Sequence, residues 1–232
     1  MNLAILQARM TSTRLPGKVM APLLGEPMIA RQIERLQHSR RIDQLLVATS
    51  SEPSDDPLAA WCEGAGVAFY RGDLHDVLGR FCGALRLYPE ATTVLRLTAD
   101  CPLADWTVID ALVDRHLAED ADYSSNVLTQ RTFQHGLDAE VIRPQALFAA
   151  EAEATEPYER EHVTPFIYRR PERFRLAELT RSPSLAHLRW TVDLPEDLAF
   201  VREVYERLYP ANPAFSSDDV VALPRNSSEA AA

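Results

Sequence analysis

Two hydrophobic patterns alternate through the first half of the chain. Short, nearly unbroken apolar runs, LAILQA (3–8), QLLVATS (44–50), VAFY (67–70) and TVLRLTA (93–99), predict strands. Between them, PMIARQIERLQ (27–37), DPLAAWCEGA (56–65), DVLGRFCGALRLY (76–88) and DWTVIDALVDRHLAE (105–119) place apolar residues at helical spacing. Strands buried on both faces read as continuous apolar runs, and intervening helices supply the layers that cover them. The expected class is therefore α/β, a mostly parallel sheet sandwiched by helices. Such sheets take ligands at the carboxyl ends of their strands.

The second half is less regular. ADYSSN (121–126), LDAEVI (137–142), FRLAEL (174–179) and LRWTVD (188–193) predict strands, and YEREHVTPFIY (158–168) and PEDLAFVREVYERL (195–208) predict helices. This pattern suggests a single domain over 1–222 with an inserted segment around 120–180. The polar, small and aperiodic LPRNSSEAAA (223–232) is expected to be a flexible tail.

Composition narrows the function. With 232 residues, 46% of them hydrophobic, the chain can bury one compact core. The net charge of −10 argues against nucleic acid as a partner, because phosphate neutralisation along a duplex needs clustered Lys and Arg. Any anionic ligand must be met by cations gathered locally. Three cysteines (Cys62, Cys82, Cys101) follow no disulfide framework, and the N-terminus lacks a charged region followed by a long apolar stretch, so the cytoplasm is the expected location. No apolar run approaches the roughly 20 residues needed to cross a bilayer, so no membrane role is expected.

One loop stands out. After the first predicted strand, ARMTSTRLPGK (8–18) gathers Arg9, Arg14 and Lys18 with Thr11, Ser12 and Thr13 and the turn residues Pro16 and Gly17. It is not a nucleotide-binding P-loop, which needs a Gly five positions before its Gly-Lys and a hydroxyl after it; here those positions hold Ser12 and Val19. Two readings remain: a solvated basic loop, or a phosphate site in which Arg makes bidentate contacts and Lys acts as a point charge. RLTADCPL (96–103) ends another strand of the same sheet with an acid, which favours the second reading.

ARMTSTRLPGK, RLTADCPL and TVDLPEDL (191–198) together resemble the three signature segments of the cytidylyltransferases that make CMP-activated sugars. The likeness is nearest to the branch associated with spore-coat polysaccharide synthesis and more distant to synthetases of CMP-linked 3-deoxy-octulosonate. YRGDLHDVLGRF (70–81), HGLDAEV (135–141) and REHVTPFIY (160–168) are similar to further segments of that branch, so the likeness runs from Leu3 to about Leu208. It implies a nucleotide-diphospho-sugar transferase (GT-A-like, Rossmann-related) fold whose inserted segment serves dimerisation or the acceptor. It also implies a homodimer that moves CMP from CTP to a sugar acid with Mg2+ and releases pyrophosphate, for surface polysaccharide or glycolipid synthesis. By the same resemblance, Arg9, Lys18 and Asp100 are catalytic, and Ala8, Arg9, Ser12, Arg14, Lys18, Arg71, Arg80 and Asp100 bind the nucleotide. Asp100 and Asp193 hold the metal, and His135, Asp138, Glu140, Arg160 and His162 are candidates for the acceptor.

Each assignment has a plainer competitor. Asp193, with Pro195 and Glu196 after it, also fits the start of a capped helix. Arg71 beside Gly72 could be a turn cation, and Asp76 a helix cap. In a strand, Asp138 and Glu140 share one face, and their partner could be an acceptor, a metal, or a cation such as Arg143. Arg160 and His162 also fit a helix surface. A zinc-peptidase reading of His162 fails because Tyr158 stands where a His is required. A nucleotide-sugar-dependent glycosyltransferase and a non-catalytic nucleotide-binding protein are the alternative functions.

Overall fold

The computed structural model describes residues 1–224; the tail expected over 223–232 lies outside the described residues from 225 onward. The chain begins with β1 (Asn2–Gln7), a two-stranded hairpin of β2 (Pro22–Leu23) and β3 (Glu26–Pro27), and α1 (Met28–Leu36). There follow β4 (Gln44–Ser50), α2 (Asp56–Gly64), β5 (Phe69–Gly72), α3 (Val77–Leu85), β6 (Thr93–Thr98) and α4 (Trp106–Ala118). The second half adds β7 (Tyr123–Ser125), β8 (Glu140–Ile142), α5 (Pro144–Glu153), α6 (Pro157–His162), α7 (Pro165–Tyr168), β9 (Leu176–Glu178), α8 (Pro195–Leu208) and α9 (Ser217–Ala222).

The main sheet has the order β5-β4-β1-β6-β8-β7-β9. It is parallel apart from β8, which runs against both β6 and β7. The central strand is covered on both sides. Leu3 and Ile5 pack with α3, α5 and α7, while Ala4 and Leu6 pack with α1, α2 and α4. That two-sided burial is why β1 reads as an unbroken apolar run. From β1 the chain winds outward through β4 to β5, and α3 then returns it to β6 on the opposite side of β1. The direction of winding reverses between β1 and β6, and a crevice opens there at the carboxyl edge. A third apolar cluster joins α8 to Leu23, Leu103, Trp190 and Val192.

Several elements differ from the sequence expectations. The stretch 120–180 is built into the sheet through the β6–β8 pairing, and its helices cover one face. The helix expected over 158–168 is split into α6 and α7 at Val163, whose φ is 72°; Pro165, which has no N–H to continue the hydrogen-bond ladder of α6, starts α7 instead. Residues 188–193 form no strand, only a single bridge between His135 and Arg189. The strands expected over 121–126, 137–142 and 174–179 shrink to three residues each, and the one at 67–70 shifts to 69–72. Asp138 consequently lies outside β8, so it and Glu140 do not share a strand face. The β2–β3 hairpin, α5 and α9 are additional.

Two buried polar groups mark where the interior is sensitive. Glu140 forms an ion pair with Arg96 on the neighbouring strand, and it accepts hydrogen bonds from Tyr123 Oη at 2.5 Å and Thr164 Oγ1 at 2.6 Å. His116, on the inner face of α4, shares a 2.8 Å hydrogen bond with Ser124 Oγ. Burial, reinforced by the Arg143 charge, pushes the His116 pKa down to about 4 from its ordinary 6.5.

Two outcomes follow. Glu140→Gln leaves the Arg96 charge buried without its counter-ion and is expected to cost about 3–5 kcal/mol in urea unfolding; a loss below about 1 kcal/mol would contradict this role. For His116 the unfolded chain takes up the proton first. Stability is therefore expected to fall by up to about 3 kcal/mol as pH drops from 7 toward 4, then level off. His116→Gln should flatten that slope, and an unchanged slope in the variant would assign the pH dependence elsewhere.

Candidate active site

The loop after β1 is folded tightly against the edge of the sheet. Ala8 N–H continues the sheet pattern by donating to the Ala48 carbonyl at 3.1 Å. Met10 N–H then donates to Asp55 Oδ1 at 2.7 Å, and Ser50 N–H donates to Asp55 Oδ2 at 3.1 Å. The fully buried Asp55 thus ties the start of the loop to the end of β4. Gly17 closes the turn with a 2.8 Å hydrogen bond from its N–H to the Met10 carbonyl, at a φ of 71° that suits glycine. The next residue, Lys18, opens a single 3-10 turn and sends its side chain inward.

The Lys18 ammonium joins three distant parts of the chain. Nζ lies 2.6 Å from the Val192 carbonyl, 3.1 Å from Asp193 Oδ1 and 3.4 Å from Asp100 Oδ2. Val192 N–H donates to the Asp100 carbonyl at 2.8 Å, which fastens the two acid-bearing segments side by side. Arg14 Nη2 reaches Asp193 Oδ1 at 3.1 Å, and Arg189 Nη2 reaches Asp193 Oδ2 at 2.7 Å. Burial alone would raise the Asp193 pKa, but the hydrogen bonds from Arg189 and Lys18 and the charges of Lys18 and Arg14 outweigh it and hold the carboxyl below its usual range.

Asp193 does not cap α8. The cap position is Leu194, and Asp197 reaches back to accept the N–H groups of Asp193 at 2.8 Å and Leu194 at 2.9 Å. The Asp193 carboxylate is left to face the cations.

Around this junction lies a cavity of about 290 Å³, lined by Gln7 at the end of β1, by Ala8, Arg9, Ser12, Thr13, Arg14, Lys18 and Val19 after it, by Thr98 at the end of β6 with Ala99 and Asp100 just beyond, and by Asp193. It occupies the crevice between β1 and β6. The structure thus brings together Ala8, Arg9, Ser12, Arg14, Lys18, Asp100 and Asp193. One wall carries cations suited to an anionic group, and the other carries two carboxylates within reach of one cation.

The remaining candidates lie outside that cavity. Arg71 holds the Ser50 and Glu52 carbonyls, each at 2.9 Å, and Asp56 at 2.7 Å. Arg80 is buried and donates to the Asp73 carbonyl at 2.6 Å; burial lowers its pKa and the nearby Arg9 adds to that, against the pull of Asp55. Asp76 caps α3 through Gly79 N–H at 3.0 Å and pairs with Arg160, which also donates to the Glu151 carbonyl at 2.8 Å. Asp138 is held by both terminal nitrogens of Arg131. His135 is fastened by its backbone to Leu188 and Trp190, and the His162 ring rests against Tyr158 at 4.3 Å.

Sequence reasoning did not single out Asp55, Arg189 or Asp197. A signal existed for Arg189: in any extended segment it falls on the same face as Asp193, four residues on.

Comparison with known proteins agrees with this geometry. A family model described as Cytidylyltransferase matches residues 3–211. The spore coat polysaccharide biosynthesis protein SpsF of Bacillus subtilis is 31% identical over 97% of this chain and 94% of its own length. The 3-deoxy-manno-octulosonate cytidylyltransferase of Zea mays is 35% identical over 53% of this chain and 41% of its own. Among solved structures, a cytidylyltransferase from Leptospira borgpetersenii superimposes with a TM-score of 0.88 at 30% identity, covering 95% of this chain and 92% of the other. The sheet order, the switch-point cavity and this agreement along nearly the whole chain place the protein in the cytidylyltransferase family.

Proposed function

We propose that this protein transfers CMP from CTP to a sugar acid or a similarly acidic acceptor, releasing pyrophosphate, with Mg2+ held by Asp100 and Asp193. The observation that carries the reading is the position of the Lys18 ammonium, shared by those two carboxylates beside the Arg9 and Arg14 loop. Two acids that can share one cation suit a magnesium ion completed by water and substrate phosphate oxygens. No group of three or more His, Cys, Asp or Glu suited to a metal is present among the described residues, so an all-protein cage is not the arrangement here. The bound ion would neutralise charge on the phosphate oxygens as pyrophosphate leaves.

The chain's own residues then have separable tasks. Arg9 and Arg14 offer forked donors to phosphate oxygens, and Lys18 contributes a compact charge next to the reacting phosphorus. An oxygen of the acceptor attacks the α-phosphorus, so the enzyme supplies positioning and charge rather than a nucleophile of its own. Cys101 is unsuited to covalent catalysis: burial, and then the charge of adjacent Asp100, pushes its thiol well above the usual range. The octulosonate name of one relative supports a sugar acid as the acceptor, and the spore-coat name of another supports surface polysaccharide synthesis as the use of the product.

Incubation with CTP, Mg2+ and a panel of sugar acids is expected to release pyrophosphate with at least one acid. Lys18→Met should lower kcat on the order of 10²–10³-fold, the usual consequence of removing one preorganised donor to developing charge. Absence of pyrophosphate with every acid, or an undiminished Lys18→Met, would contradict the proposal.

A further inference from the structure

We propose that Arg189 is a positioning residue that braces Asp193 from outside the cavity and so sets the affinity for the divalent ion. The inference rests on the reading of Asp193 as an ion ligand. The two oxygens of Asp193 face different surroundings. Oδ1 meets Lys18 and Arg14, the same cations that an incoming triphosphate would engage. Oδ2 meets Arg189, which lines a separate groove along α8 with Trp190, Asp197 and Phe200 and is absent from the walls of the nucleotide cavity. A polyanion in the cavity competes for the partners of Oδ1 and leaves the partner of Oδ2 in place. Arg189 therefore keeps the carboxylate from rotating while its inner oxygen changes partner.

Arg189 is itself held on two sides. Asp197 Oδ2 lies 3.4 Å from its guanidinium and also accepts the Asp193 and Leu194 N–H groups, so one carboxylate fixes both the arginine and the backbone that carries Asp193. On the other side, His135 N–H donates to the Leu188 carbonyl at 3.0 Å and Trp190 N–H donates to the His135 carbonyl at 2.8 Å. The approach there is so close that a Cβ on Gly136 would sit 2.8 Å from the Trp190 carbonyl carbon. Groups that hold an ion-binding carboxylate in place typically change metal affinity or activity 10–100-fold when removed.

The test measures Mn2+ affinity of the CTP-bound protein by electron paramagnetic resonance with acceptor omitted, alongside calorimetric CTP binding without metal. Arg189→Gln is expected to weaken Mn2+ binding about 10–100-fold and to leave metal-free CTP binding within about two-fold, with Arg189→Lys falling between Gln and wild type. Equal losses in both measurements would mean a general structural role and would overturn the inference. Wild-type Mn2+ affinity in Arg189→Gln, with a loss in Asp193→Asn, would remove Arg189 from the account and leave Asp193 in it. Unchanged Mn2+ affinity in Asp193→Asn would defeat the reading of the ion site, and the inference with it.

Discussion

A single ammonium group holds the two halves of this molecule to a common purpose. Lys18 is carried by the loop after the first strand, yet its three partners come from the end of β6 and from the segment before α8. Withdrawing a lysine from water is costly unless its charge is met, and here two carboxylates and a carbonyl meet it. The same contact keeps two acids of like charge close together, an arrangement that is unfavourable without a cation between them. One contact thus joins the first loop to both acids, and the proposed ion site is read from that junction.

The sheet makes this convergence possible. Reversal of the winding direction between β1 and β6 opens a crevice at the carboxyl edge, and the first loop and the end of β6 enter it from either side. In a protein of net charge −10, an anionic substrate is attracted only by a local arrangement. Arg9, Arg14 and Lys18 supply one, and Asp55 keeps it at the rim by holding the Met10 N–H. The acids of the motifs beyond the cavity are engaged by arginines: Arg131 holds Asp138, Arg160 holds Asp76 and Arg96 holds Glu140.

How much could be read from the sequence varied with how local the cause was. β4 and α8 are visible to the residue because apolar spacing and a proline at the first helical position are properties of the segment itself. Residues 188–193 carry strand-like alternation but find only one bridge, since pairing depends on a neighbour that the segment does not specify. That the first loop, Asp100 and Asp193 meet around one cavity was legible through their motifs. Glu140 and Arg71 were not, because their partners Arg96 and Asp56 lie 44 and 15 residues away. Arg189 was missed because its contacts, with Asp193 and Asp197, belong to no motif that the sequence displays.

The central claim is that Asp100 and Asp193 share one cation beside a triphosphate held by the first loop. Crystallisation with CTP and Mn2+, with the anomalous signal used to locate the ion, tests it most directly. The account predicts a manganese peak within bonding distance of both carboxylates and the triphosphate lying along residues 9–18. A manganese ion bound to one acid alone, or a nucleotide seated in the groove along α8, would contradict it.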